Sequence, residues 1–202
     1  MTSKQKMEAS AKTKIIDFKS ITDVKGFTWQ AFMIILIGLV FYSNSFMNEY
    51  ALDDGIVIEK NEYVQEGFRG IPKIFKTDAY DSFYKQMNAG QQLSGGRYRP
   101  LSIVTFAIEQ QLFGTSLKEK REKKVPGPYV ELATLRHVGN VFFFIFSVLV
   151  LLYFLREFIF KESVFTAFGI ALLFLIHPIH TEVVANVKSR DEILSFLFIF
   201  LT

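Results

Sequence analysis

The chain has 202 residues, half of them hydrophobic, with 23 Phe and 23 Lys plus Arg against 20 Asp plus Glu. It has no cysteine, which excludes disulfides and thiolate metal sites. A formal net charge of +3 is too small to argue for a nucleic-acid partner; basic residues beside apolar blocks report membrane topology instead.

Residues 1–26 are a polar tail with six lysines (4, 6, 12, 14, 19 and 25), predicted to stay in the cytoplasm. The uncharged block "FTWQAFMIILIGLVFYSNSF" opens a first transmembrane segment, 27–47. It is long enough for ~30 Å of hydrocarbon at about 1.5 Å per residue, and longer than the apolar region of a cleaved signal. Trp29 and Tyr42 are placed near its two interfaces. Residues 48–134 form a long extracytoplasmic loop with structure signals of its own. "DDGIVIEKNEYVQEGFRGIPKIF" begins with acids, as a helix N-terminus prefers. "PLSIVTFAIEQQLFG" runs from Pro100 to Gly114, a helix start and stop. Its Leu101, Val104, Ile108 and Leu112 recur at helical spacing and predict a helix lying on the membrane surface. "NAGQQLSGGRYRP" reads as a flexible link and "SLKEKREKKVPGP" as a solvated excursion.

A second span over 135–156 returns to the cytoplasm, and 157–163 is a short turn. The third apolar block, "SVFTAFGIALLFLI", is short, so its helix is predicted to continue beyond Pro178, giving a third segment with its outer end over 164–187. Residues 188–192 are an extracytoplasmic loop, and 193–202 begin a fourth span. That last stretch is about half of what a crossing needs, so the chain reads as an N-terminal piece of a longer protein. The expected fold class is all-α: a polytopic, multi-pass integral membrane protein whose long extracytoplasmic loop contains surface helices. This topology puts residues 48–134 and 177–192 on the same side of the membrane.

Three groups there could carry chemistry. Asp53 and Asp54 follow the first span closely; adjacent carboxylates repel, so one should hold a raised pKa or find a cation. Their alternative is a solvated helix cap. Arg97 and Arg99 flank Tyr98, and arginine suits bidentate phosphate binding, or simply reaches for lipid head groups. In "HPIHTEVVANVKSRDE", His177, His180 and Glu182 offer three possible metal ligands. The spacing is not that of zinc hydrolases, and Pro178 breaks helical regularity between the histidines. Ionisable groups at membrane depth usually face the protein interior or a polar cavity.

The elements "LDDGIVIEKN", "YRPLSIVTFAIEQQLFG", "RHVGNVFFFIFSVLVLLYFL" and "LLFLIHPIHTEVVANVKSRDEILS", in this order, resemble the N-terminal region of the transmembrane and tetratricopeptide-repeat O-mannosyltransferase-like proteins. The resemblance covers roughly residues 27–202. It implies a GT-C-like N-terminal part of a membrane glycosyltransferase, distantly related to protein O-mannosyltransferases. The donor it implies is a sugar on a polyprenyl phosphate, and the acceptor a hydroxyl on a protein or glycan. Asp53, with Asp54 beside it, takes the position of the family's acidic catalytic residue, a base for the acceptor hydroxyl. Arg97, Arg99, Lys188 and Arg190 are then expected to meet the lipid phosphate, and His180 and Glu182 to line the pocket, binding hydroxyls or supporting a divalent metal. Asp53–Asp54 replaces the Asp-Glu pair of the better-studied protein mannosyltransferases, and Lys188 and Ser189 stand where many relatives have smaller residues, so mannose is not assumed. The expected compartment is the bacterial inner membrane in preference to the endoplasmic reticulum. The alternatives are a non-catalytic anchor or scaffold for C-terminal tetratricopeptide repeats, or an ion-pathway protein; polar groups clustered at one membrane face rather than at mid-span speak against the latter.

Overall fold

The computed structural model describes residues 24–51, 53–88, 97–114 and 129–202, and every regular element among them is helical. The N-terminal tail up to residue 23, predicted to be cytoplasmic, most of the "NAGQQLSGGRYRP" link and the "SLKEKREKKVPGP" excursion lie outside the described residues. The chain divides into two units, residues 1–33 and 34–202. Helix α1 spans Val24–Tyr42 and runs into a 3-10 turn at Ser43–Met47. Within the first unit, Trp29 stacks on Phe32 and is largely exposed.

In the second unit, the described residues between α1 and the next long helix are folded. A π-turn at Gly55–Glu59 leads into α2 (Glu62–Gln65), α3 (Ile71–Ile74) and α4 (Asp81–Gln86). Asn61 caps α2 by accepting from Tyr63 N–H at 3.0 Å. Helix α5 spans Pro100–Phe113, starting at the proline and stopping before Gly114 as the sequence predicts. These pieces share one core: Val57, Ile58, Tyr63, Val64, Ile74, Ala79 and Tyr80 pack with Ile103, Phe106 and Ala107 of α5, and with Val187 from far along the chain. The buried face of α5 is thus Ser102, Ile103, Phe106, Ala107 and Gln110. The stripe of Leu101, Val104, Ile108 and Leu112 lies off this buried face: Leu101 and Leu112 are exposed and Val104 and Ile108 half-buried. Both faces of α5 therefore carry apolar residues.

Helix α6 covers Tyr129–Phe154 and ends in a π-turn at Leu155–Ile159. The part of α1 in this unit approaches it closely. A Cβ on Gly38 would lie 2.7 Å from Ile145, so a larger residue there would force that side chain aside. Helix α7 spans only Val164–Ile176. It does not continue past Pro178. His177 is extended, at φ −66° and ψ 127°, as the residue before a proline prefers, and a separate short helix α8 covers His180–Ala185. The broken end needs partners for its carbonyls. Tyr42 supplies one, donating its hydroxyl to Leu175 C=O at 2.8 Å. Tyr42 is therefore an interior residue of the fold, 2% exposed. A 3-10 turn at Val187–Ser189 then leads into α9 (Arg190–Leu201), which packs along α6. By length and composition two helical stretches can cross a membrane, Gly26–Met47 and Leu132–Ile159; α7 is apolar but shorter.

Candidate active site

The turn after α1 and the turn before α9 are pinned together by two adjacent carboxylates with opposite environments. Asp54 is 0% exposed. Its Oδ1 accepts from Lys188 N–H at 2.7 Å and its Oδ2 from Ala51 N–H at 3.2 Å. Burial raises its pKa above the ordinary carboxylate value, against the pull of those two backbone donors. Asp53 is 44% exposed at its side chain. Its Oδ2 accepts from Lys188 Nζ at 2.8 Å and from the Tyr80 hydroxyl at 2.8 Å. The hydrogen bond from Lys188, then that from Tyr80, holds Asp53 below the ordinary range. Burial opposes the Lys188 ammonium, but the Asp53 carboxylate and the Tyr80 hydroxyl together outweigh it and the lysine pKa is raised. The pair of acids is thus split into a buried member that fixes the backbone of Lys188 and an accessible member that meets its side chain.

Beside this pair is an open cleft of about 360 Å³, solvent at its mouth included, lined by Val57, Ala79, Tyr80, Arg97, Arg99, Ser102, Ile103 and Lys188. Three cations converge there. Arg97 donates to the Tyr84 hydroxyl at 2.8 Å and lies 4.7 Å over the Tyr80 ring. Arg99 pairs with Asp191 and keeps 42% of its side chain exposed. The walls combine apolar surface with a few fixed polar groups, the usual make-up of a ligand site.

Arg190, expected at the phosphate, is placed elsewhere. It is 0% exposed and sits in a closed network. Its guanidinium donates to Glu109 at 2.6 Å, Asn140 Oδ1 at 2.7 Å, Thr105 at 2.8 Å and Arg136 C=O at 3.0 Å. Arg136 meets the other oxygen of Glu109 at 3.3 Å and donates to Tyr50 at 2.5 Å. A buried cation has to be paired, and Glu109 serves two. This hub joins α5, α6 and α9, and Arg190 belongs to it and not to the cleft.

His177, His180 and Glu182 do not form a ligand set: among the described residues no group of three or more His, Asp or Glu side chains is gathered to hold a metal ion. His180 packs its ring 4.2 Å from Phe174 and 5.4 Å from Phe144, while His177 and Glu182 are exposed. None of the three lines the cleft. Glu109 and Arg136 lie within the quoted motif stretches without standing out there, and Tyr80, one Tyr among eight, looks like an ordinary surface residue.

No protein-family model and no solved structure matches the chain. Curated relatives do. It is 30% identical over 160 residues to the human protein O-mannosyl-transferase TMTC1, covering 79% of this chain and 16% of the relative. It is 28% identical over 183 residues to mouse protein O-mannosyl-transferase TMTC3, covering 91% of this chain and 16% of the relative. A Caenorhabditis elegans protein O-mannosyl-transferase, F38B6.6, is 27% identical over 170 residues, covering 82% of this chain and 21% of the relative. The chain therefore spans about one sixth to one fifth of the length of these relatives, and the resemblance drawn from its motifs holds.

Proposed function

We propose that this chain, similar to the protein O-mannosyl-transferases, forms part of a multi-pass GT-C-type membrane glycosyltransferase. It moves a sugar from a polyprenyl-phosphate donor to a hydroxyl on a protein or glycan at the extracytoplasmic membrane face. The observation that carries this reading is the accessible carboxylate of Asp53 held by Lys188 beside a cleft that also presents Arg97 and Arg99. The named relatives are animal proteins, so they lend the bacterial inner membrane no support, and their names make mannose the first sugar to test.

The chemistry follows from those groups. The acceptor oxygen forms a bond to the anomeric carbon as the bond from that carbon to the phosphate oxygen breaks. Asp53 takes the acceptor proton, and the polyprenyl phosphate leaves with its charge matched by Lys188, Arg97 and Arg99. An Asp53 pinned by Lys188 is a weak base. A donor phosphate in the cleft competes for the Lys188 ammonium, and loosening that pair raises the proton affinity of Asp53 when the donor is in place. Asp54 does not touch substrate in this scheme; it holds the Lys188 backbone.

The test is Asp53→Asn in the full-length protein, assayed in membranes with a labelled polyprenyl-phosphate sugar and a hydroxyl acceptor. Transfer falls about 10²–10⁴-fold, with membrane insertion unchanged. Full activity in that variant removes Asp53 as the base. Full-length wild-type protein that transfers no sugar, while still inserting, favours a scaffold instead.

A further inference from the structure

Tyr80 joins the two halves of the cleft. Its hydroxyl donates to Asp53 Oδ2 at 2.8 Å, the same oxygen that receives Lys188 Nζ at 2.8 Å. The face of its ring carries the Arg97 guanidinium at 4.7 Å from the centroid. The ring is itself anchored: Tyr80 is 8% exposed and belongs to the loop core with Val57, Ala79 and Ile103. Its backbone is fixed as well, Tyr80 N–H donating to Asp78 Oδ1 at 2.9 Å and Ala79 N–H to Arg97 C=O at 3.2 Å. Tyr84 approaches its edge at 6.1 Å and receives Arg97 at 2.8 Å. One rigid side chain therefore sets the rotamer of the acid and provides the platform for a cation.

We infer that Tyr80 is a positioning residue of this site. Its hydroxyl fastens one carboxylate oxygen of Asp53, so that the other, Oδ1, is left for the substrate, and its ring holds Arg97 for an anionic group in the same cleft. A phenol is well suited to both tasks. The hydroxyl is a donor that stays protonated, since burial and then the neighbouring Asp53 raise its pKa, and the ring face attracts a guanidinium. The charged groups around Asp53 are Lys188, with its hydrogen bond, and Arg97, with its charge; Asp54 adjoins it in sequence.

This assignment takes Asp53 as the base of the proposed transferase and rests on that reading, but it can be tested without turnover. A hydrophobic carbodiimide labels protonated carboxyls, and mass spectrometry of the digested protein reports the modification at Asp53. Tyr80→Phe keeps the ring under Arg97 and removes only the donor. Above the Asp53 pKa, the labelling rate at fixed pH should rise about threefold in Tyr80→Phe, the effect of losing one hydrogen bond to a half-exposed carboxylate. Labelling of Glu66, whose carboxylate pairs with Lys73, should stay unchanged and controls for general loosening. An Asp53 labelling profile that coincides with wild type across the pH range overturns the assignment, as does an equal rise at Asp53 and Glu66. Failure of sugar transfer in the wild-type protein counts against the transferase reading alone.

Discussion

Glu109→Gln tests the buried hub that joins α5, α6 and α9. The wild-type carboxylate faces two guanidiniums, Arg190 at 2.6 Å and Arg136 at 3.3 Å, which are 0% and 1% exposed. The glutamine keeps the shape and can still accept, but leaves both cations without a counter-charge in the interior. Breaking a buried pair by removing one partner costs about 3–5 kcal/mol. Glu109 itself keeps 16% exposure, which admits some solvent relief and favours the lower end, about 3 kcal/mol. For a chain of this size each kcal/mol lowers Tm by roughly 2–4 °C, so the expected drop is about 6–12 °C in detergent micelles. Thermal unfolding followed by circular dichroism reads it. Glu109→Asp, which retains the charge, should lose less than Glu109→Gln. A Tm of Glu109→Gln within a degree of wild type refutes the idea that this carboxylate neutralises Arg190 and Arg136.

Tyr42→Phe should cost about 1–2 kcal/mol, because it strands a buried carbonyl at the broken end of α7; a lowered Tm with unchanged helix content checks this, and an unchanged Tm rejects the bond. The Asp53–Lys188 pair has a defined pH window. Asp53 is depressed in the folded state, so its stabilisation is present above the unfolded carboxylate value, about 3.9, and is lost as pH falls through the lower folded value. The Tm difference between wild type and Asp53→Asn should be flat from about pH 5 to 8 and shrink toward pH 3; a difference that grows on acidification has the wrong sign.

The sequence is most legible where physics acts locally. An uncharged run long enough for a bilayer gives α1 and α6, and Pro100 with Gly114 bounds α5 within a residue. Topology read from the apolar blocks puts Asp53 and Lys188, 135 positions apart, on one side, and the structure joins them. What depends on partners far along the chain stays hidden. Arg190 has the composition of a ligand-binding residue, and only Glu109, 81 positions away, reveals it as a buried cation. The role of Tyr42 follows from α7 stopping at Ile176, and Pro178 is equally compatible with a kink or a stop. Tyr80 acquires meaning only from what its hydroxyl and ring touch.

The length of α7 has a consequence for the lipid around it. Thirteen residues rise about 20 Å, some two thirds of a ~30 Å hydrocarbon layer. In a protein that crosses the membrane as proposed, such a helix is mismatched to its surroundings, and the bilayer answers by thinning locally. The leaflet would dip beside the segment that carries Lys188. A lipid-borne phosphate would then meet the cleft with less of its acyl chain drawn out of the hydrocarbon, where each exposed methylene costs about 0.8 kcal/mol.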